Sequence, residues 1–144
     1  MTQNHFTPAM GKMEADLLLD LLGQAPIVFH RCYVDITGSV TAALWLSHAV
    51  YHITEHAPEE DGWFSKSQSA WEQETGLSRR EQETARKLLV GLHILKERRP
   101  GLQRPMQFQI DFDILMQRLQ GQSEIGSRQF TASPHATNTD LLCG

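Results

Sequence analysis

The stretch "GLSRREQETARKLLVGL", residues 76–92, constrains the fold of this chain more than any other. Ser78 followed three residues later by Glu81 is a reciprocal cap. The serine oxygen accepts a backbone N–H of the first turn, and the glutamate reaches back to the N–H of the serine. Downstream of that start, Ala85, Leu88, Leu89 and Leu92 recur at i, i+3, i+4 and i+7. Such a stripe turns one face of a helix toward a core and fixes the opposite face by geometry. The spacing therefore predicts an outward face of Arg79, Arg80, Glu83, Arg86, Lys87 and Val90, with Gln82 and Thr84 on its flanks. Immediately upstream, Ser67 caps a second helix over residues 68–75, Gly76 stops it, and Leu77 plugs the corner between the two.

The rest of the chain is arranged around this pair. Residues 12–23, "KMEADLLLDLLG", have leucines near a helical period and end at Gly23, which predicts a short amphipathic helix in need of a partner surface. The stretch "IVFHRCYVDI" after Pro26 is rich in branched and aromatic side chains and is expected to run extended. Residues 37–56 read as a long helix, apolar round much of its circumference and therefore central to the core. Its polar stripe of Thr41, Trp45 and the histidines leaves Trp45 exposed. An acidic turn follows at 57–62, and "WFSK" is a short extended piece.

Beyond the capped helix, two strand-like runs flank "PGLQRP". In the second, Met106, Phe108 and Ile110 alternate with Gln107, Gln109 and Asp111, the period of a strand with one buried face. A hairpin with Arg98, Arg99 and Arg104 at its tip is expected. Residues 112–119 return to helical spacing. From Gly121 onward the composition of Gly, Ser, Thr, Asn and Gln predicts a mobile tail.

Charge is distributed unevenly. Residues 1–65 carry 2 basic and 8 acidic side chains, residues 66–104 carry 9 and 5, and residues 105–144 carry 2 and 4. A net charge of -4 thus conceals a basic middle, and a local basic patch is what polyanion binding depends on. No apolar run is long enough to span a bilayer, and Lys12, Glu14, Asp16 and Asp20 interrupt the leucines near the start, so a cytoplasmic location without membrane attachment is expected. Cys32 and Cys143 are too far apart in sequence for a paired metal motif and are read as reduced thiols. No phosphate-cradling Gly-rich loop, nucleophile elbow or placed carboxylate pair is present, so no enzymatic activity and no cofactor are expected. His48, His52 and His56 lie on one helical face at i, i+4 and i+8. Two at a time have ligand spacing, but all three span about 12 Å, beyond the reach of one ion. They are read as a polar stripe or subunit contact with no metal, and His30 and His93 as buried or half-buried histidines.

Two helices joined by a glycine-containing turn, the second presenting cations, followed by a basic hairpin, fit a winged helix-turn-helix. The expected fold class is mainly α with a small β-sheet: a three-helix core plus a two- or three-stranded wing. Residues 26–120 would form this domain, residues 1–25 an amphipathic arm for packing or dimerisation, and residues 121–144 the tail. The segments "TGSVTAALWLSHAVY" and "DGWFSKSQSAWEQETGLSRREQETARKLLVGLHILKERR", with the pattern W-x-x-x-T-G-L-S-x-R-x-x-x-x-A-R-K-x-L from Trp71 to Leu89, resemble the winged-helix DNA-binding domains of phage and plasmid replication initiators and replisome organisers. Related patterns occur in transcriptional regulators.

The resemblance implies double-stranded DNA as partner. Arg79, Arg80, Arg86 and Lys87 would meet the major groove, with Gln82 and Glu83 as further base-contact candidates. Lys66, Ser67 and Gln68, at the start of the first helix, would hold phosphate, and Ser78 at the start of the second is a further DNA-binding candidate. Arg98, Arg99 and Arg104 would take the flanking backbone or minor groove. The resemblance implies sequence-specific binding in replication initiation, with transcriptional regulation or a protein-interaction module as alternatives. A homodimer through the leucine-rich arm, other replication proteins as further partners, and half-sites about one DNA turn apart complete the expectation.

Overall fold

A computed structural model describes residues 8–23 and 26–131. Among these residues it contains six α-helices and three strands: α1 (Pro8–Leu21), α2 (Arg31–Thr37), α3 (Val40–Glu55), β1 (Phe64–Ser65), α4 (Gln68–Thr75), α5 (Arg79–Gly91), β2 (Leu95–Arg98), β3 (Gln107–Ile110) and α6 (Phe112–Thr131). A 3-10 turn at Glu60–Gly62 precedes β1. The sheet is antiparallel in the order β1-β3-β2, with Phe64 opposite Phe108 and Glu97 opposite Phe108 from the other side. The fold is mainly helical with a small three-stranded sheet, as the sequence leads one to expect, and "WFSK" supplies the third strand.

The core is aromatic at its centre because three elements each contribute a large ring to it. Trp45 of α3 stacks on Trp71 of α4 with ring centroids 4.4 Å apart, and Phe108 of β3 meets Trp45 edge-on at 5.4 Å. Leu46, Leu89, Ile94 and Leu95 close around them, all buried. Trp45 is therefore not exposed on a polar stripe. Its face of α3 is covered by α4, and a helix enclosed on several sides has no outward stripe at that angle.

Three further departures have local causes. Residues 31–37 are helical rather than extended. Tyr33 and Thr37 bury against the core, the Thr37 hydroxyl donates to the Tyr33 carbonyl at 2.6 Å, and Gly38 closes the helix in the left-handed region at φ 69°. Tertiary burial overrides the strand propensity of a segment too short to show a helical period. α6 continues through Gly121 to Thr131, past the point where a tail was expected, and the remaining tail, with Cys143, lies outside the described residues. His30 and His93 are exposed, not buried. Cys32 is an exposed free thiol, and no helix among the described residues is long and apolar enough to cross a membrane.

Candidate functional site

α4, the turn Gly76–Ser78 and α5 carry the site, and their geometry follows from four local devices. Ser67 caps α4 by accepting from Ala70 N–H at 3.1 Å. Gly76 ends α4 at φ 74°, a backbone conformation that costs a glycine nothing. Leu77 is buried in the corner. Ser78 and Glu81 form the reciprocal cap read from the sequence, with Ser78 N–H donating to the Glu81 carboxylate at 2.8 Å and Glu81 N–H to the Ser78 hydroxyl at 3.3 Å. The Ser78 backbone N–H and then the Ser78 hydroxyl, both directed at it, hold the Glu81 carboxyl below the usual carboxylate range.

A fifth device was not legible. Gln82 is 1% exposed, and its amide donates to the carbonyls of Leu77 at 2.9 Å and Gln68 at 3.1 Å, tying the turn to the start of α4. The buried positions of α5 are Gln82, Ala85, Arg86 and Leu89. That is again an i, i+3, i+4, i+7 set, rotated by about 60° from the purely apolar stripe at 3.6 residues per turn. Gln82 thus belongs to the fold and presents nothing for a base edge.

The same rotation removes Arg86 from the outward face. Its guanidinium donates to Glu97 of β2 at 3.0 Å, lies against the Met106 sulfur, and sits 5.8 Å over the Phe108 ring. Arg86 bolts the wing to α5. Lys66 is likewise buried, over the Trp71 ring and bonded to the Glu74 carboxylate, whose oxygen also receives the His48 Nε2 proton at 2.6 Å. Burial pulls the Glu74 carboxyl upward, but the hydrogen bonds from Lys66 and His48 outweigh it and hold the group below its ordinary value. Arg98 is also committed, to the opposite face of the sheet. It donates to Gln107 at 2.5 Å and stacks 4.1 Å over Trp63. None of these three cations is free to meet a phosphate in the way the sequence suggested.

What remains is a groove of about 290 Å³ between the start of α4, the start of α5 and the wing loop. It brings together eight of the expected site residues: Lys66, Ser67, Gln68, Arg79, Gln82, Arg86, Arg99 and Arg104. No acidic side chain lines it. Lys66 and Arg86 are neutralised from behind by Glu74 and Glu97. The groove cations that form no salt bridge among the described residues are therefore Arg79, Arg99 and Arg104. The first-turn N–H groups of α4 open onto the same space at Ser67 and Gln68, and add partial positive charge. The protein presents a cationic groove.

Two comparisons find no counterpart: no protein-family model matches the sequence, and no curated protein matches it. The chain is similar to one solved structure described as the N-terminal domain of a DNA binding protein. The identity is 15%, the match covers 76% of this chain and 83% of that one, and the TM-score is 0.42.

The other expected residues lie outside the groove lining. Arg80, Glu83 and Lys87 are exposed on the outer face of α5, where Lys87 pairs with Glu83 at 3.1 Å and the pair draws the Glu83 carboxyl down. Ser78 is consumed by its cap. Leu102, Pro105 and Met106 line the wing side, and the sequence reading passed over all three because it followed charge. The histidines face a second cavity, of about 480 Å³, shared with Tyr51 and Glu74. Burial and then the nearby Lys66 ammonium hold His52 below the usual histidine value. Among the described residues no three His, Cys, Asp or Glu side chains are grouped to hold a metal ion.

Proposed function

We propose that this protein is a sequence-specific double-stranded DNA-binding protein of winged-helix type, acting in the cytoplasm as a homodimer. Its role on this reading is initiation of phage- or plasmid-type replication alongside other replication proteins; the Trp71-to-Leu89 pattern supports DNA binding, and a transcriptional regulator would use the same surface. One observation carries the reading: Arg79, Arg99 and Arg104, which form no salt bridge among the described residues, converge on a groove between a capped helix and a β-hairpin. Unpaired guanidinium groups gathered in one concavity repel each other, and a polyanion relieves that repulsion while releasing its own condensed counterions. α5 would present Arg79, Arg80 and Lys87 to the major groove. The first turn of α4 would hold a phosphate, and the wing arginines the flanking backbone. The reading assigns no catalytic step and no cofactor.

Salt titration tests it. Duplex affinity measured by fluorescence anisotropy should fall steeply as salt rises, and replacing Arg79, Arg99 and Arg104 together by Ala should reduce the log–log slope by about 2 to 3. A protein with no slope, or a triple variant with an unchanged one, refutes the reading. Footprinting across a replicon then separates replication from transcription, because origin repeats and a promoter operator lie at different positions.

A further inference from the structure

We propose that Leu102 is a wedge that enters the minor groove and kinks the duplex, so that this protein bends the DNA it binds. This rests on the DNA-binding reading and assigns its wing a mechanical task that charge alone does not perform. Leu102 is the most exposed large apolar side chain among the described residues, at 107% of its reference area, against 39–74% for the others. Its place in the backbone explains why. Arg104 N–H donates to the Gly101 carbonyl at 3.4 Å, so Leu102 and Gln103 are the two central residues of a turn at the hairpin tip. Pro100 and Pro105 bracket that turn and restrict the backbone on both sides, so the leucine is held out on a stiffened loop.

Turn centres are dominated by Gly, Pro, Asn, Asp and Ser, each for a backbone reason that leucine does not share. Leu102 therefore adds nothing to the turn and offers water a complete isobutyl group. What surrounds it identifies its partner. Arg99 and Arg104 flank the leucine and line the same groove as Arg79, so the apolar tip is delivered wherever those guanidinium groups meet phosphate. Arginines attracted to a narrow minor groove, combined with an inserted apolar side chain, are the chemistry by which proteins unstack a base step and bend DNA toward the major groove.

The test uses the full chain and linear duplexes of about 100 bp, shorter than the persistence length of about 150 bp, and follows two signals. Anisotropy reports binding, and ligase-mediated circularisation reports bending. The wild-type protein should raise circle formation about tenfold over free DNA, because a kink supplies curvature that the stiff duplex lacks. Compared at equal bound fraction, Leu102→Ala should return circularisation to the free-DNA rate, and Leu102→Met should restore it. The tip packs against nothing, so neither variant disturbs folding, and unchanged circular dichroism verifies this. Three results would overturn the proposal: wild type that binds without accelerating circles, Leu102→Ala that accelerates them as well as wild type, or Leu102→Ala that loses affinity while its bound fraction circularises normally. The last is what a leucine serving another protein or a simple contact would give. Failure of the wild-type protein to bind any duplex is a different outcome, read by anisotropy alone, and removes the DNA-binding reading together with the wedge.

Discussion

Arg79 and Arg86 are alike in the sequence, two arginines on one capped helix, and opposite in the structure. Arg79 has no ion-pair partner among the described residues, whereas Arg86 is 8% exposed with Glu97 and Phe108 around its guanidinium. Removing Arg86 strands a Glu97 carboxylate that is itself only 27% exposed and opens a void beside Phe108. Arg86→Ala should lower stability by about 2 kcal/mol, seen as a lower Tm in thermal denaturation. Arg79→Ala should leave Tm within error and weaken DNA binding instead. Equal melting points for the two variants would disprove this division of labour. The difference was illegible because hydrophobic periodicity locates a buried face only as finely as its apolar residues mark it. Here two of the four buried positions, Gln82 and Arg86, are polar. Gln82 Nε2 bonds two backbone carbonyls and Arg86 Nη1 bonds Glu97, and these internal partners offset the cost of burying the two side chains. The counter-ions Glu74 and Glu97 were likewise invisible, since they come from elements whose proximity is a property of the fold.

At the level of elements, legibility followed the strength of local chemistry. The caps at Ser67 and Ser78, the stop at Gly76 and the alternation in β3 each specify backbone geometry within a few residues, and all stand as read. α2 was lost because seven residues hold fewer than two turns and a burial pattern set by α3. The end of α5 was also unread, for want of a glycine where one is usual. Its closing residue is His93, at φ 63° in the left-handed region, with Ile94 N–H donating to the Leu89 carbonyl at 3.0 Å. Arg118 of α6 supports the same end, donating to the Leu92 carbonyl at 2.9 Å. A residue with a Cβ in that conformation carries a penalty of about 1 kcal/mol. His93→Gly should remove it, raising the midpoint of urea denaturation with an unchanged slope. A lower midpoint would mean that the imidazole contributes more than its backbone costs.

For the whole molecule, the partition of charge and the order of elements from α3 onward were legible from the sequence, and the relation of α1 to everything else was not. α1 leaves Met13, Leu17, Leu18, Leu19 and Leu21 between 51% and 74% exposed, with Leu22 just beyond it at 70%. An isolated helix of 14 residues is marginal in water, and most helical stability in proteins comes from covering an apolar face. Nothing in the described chain covers this one. Met13, Leu17 and Leu21 recur every fourth residue, with Leu18 and Leu22 alongside. Two copies of that face laid together would remove both from water at once, with Asp16 on the far side and Asp20 at the edge beside Met13, where both stay solvated. A second copy of this chain is therefore the occupant expected, and a two-fold pair would set two α5 helices against two half-sites. Sedimentation equilibrium should show a dimer for the wild-type chain and a monomer for Leu17→Glu combined with Leu21→Glu. The variant should keep the Tm of the α2–α6 core, because no described side chain of α1 belongs to it, while its salt slope for a two-half-site duplex drops to about half as each complex engages half the phosphates. A monomeric wild-type chain, or a variant that still dimerises, would place the contact elsewhere and leave α1 without the role its leucines suggest.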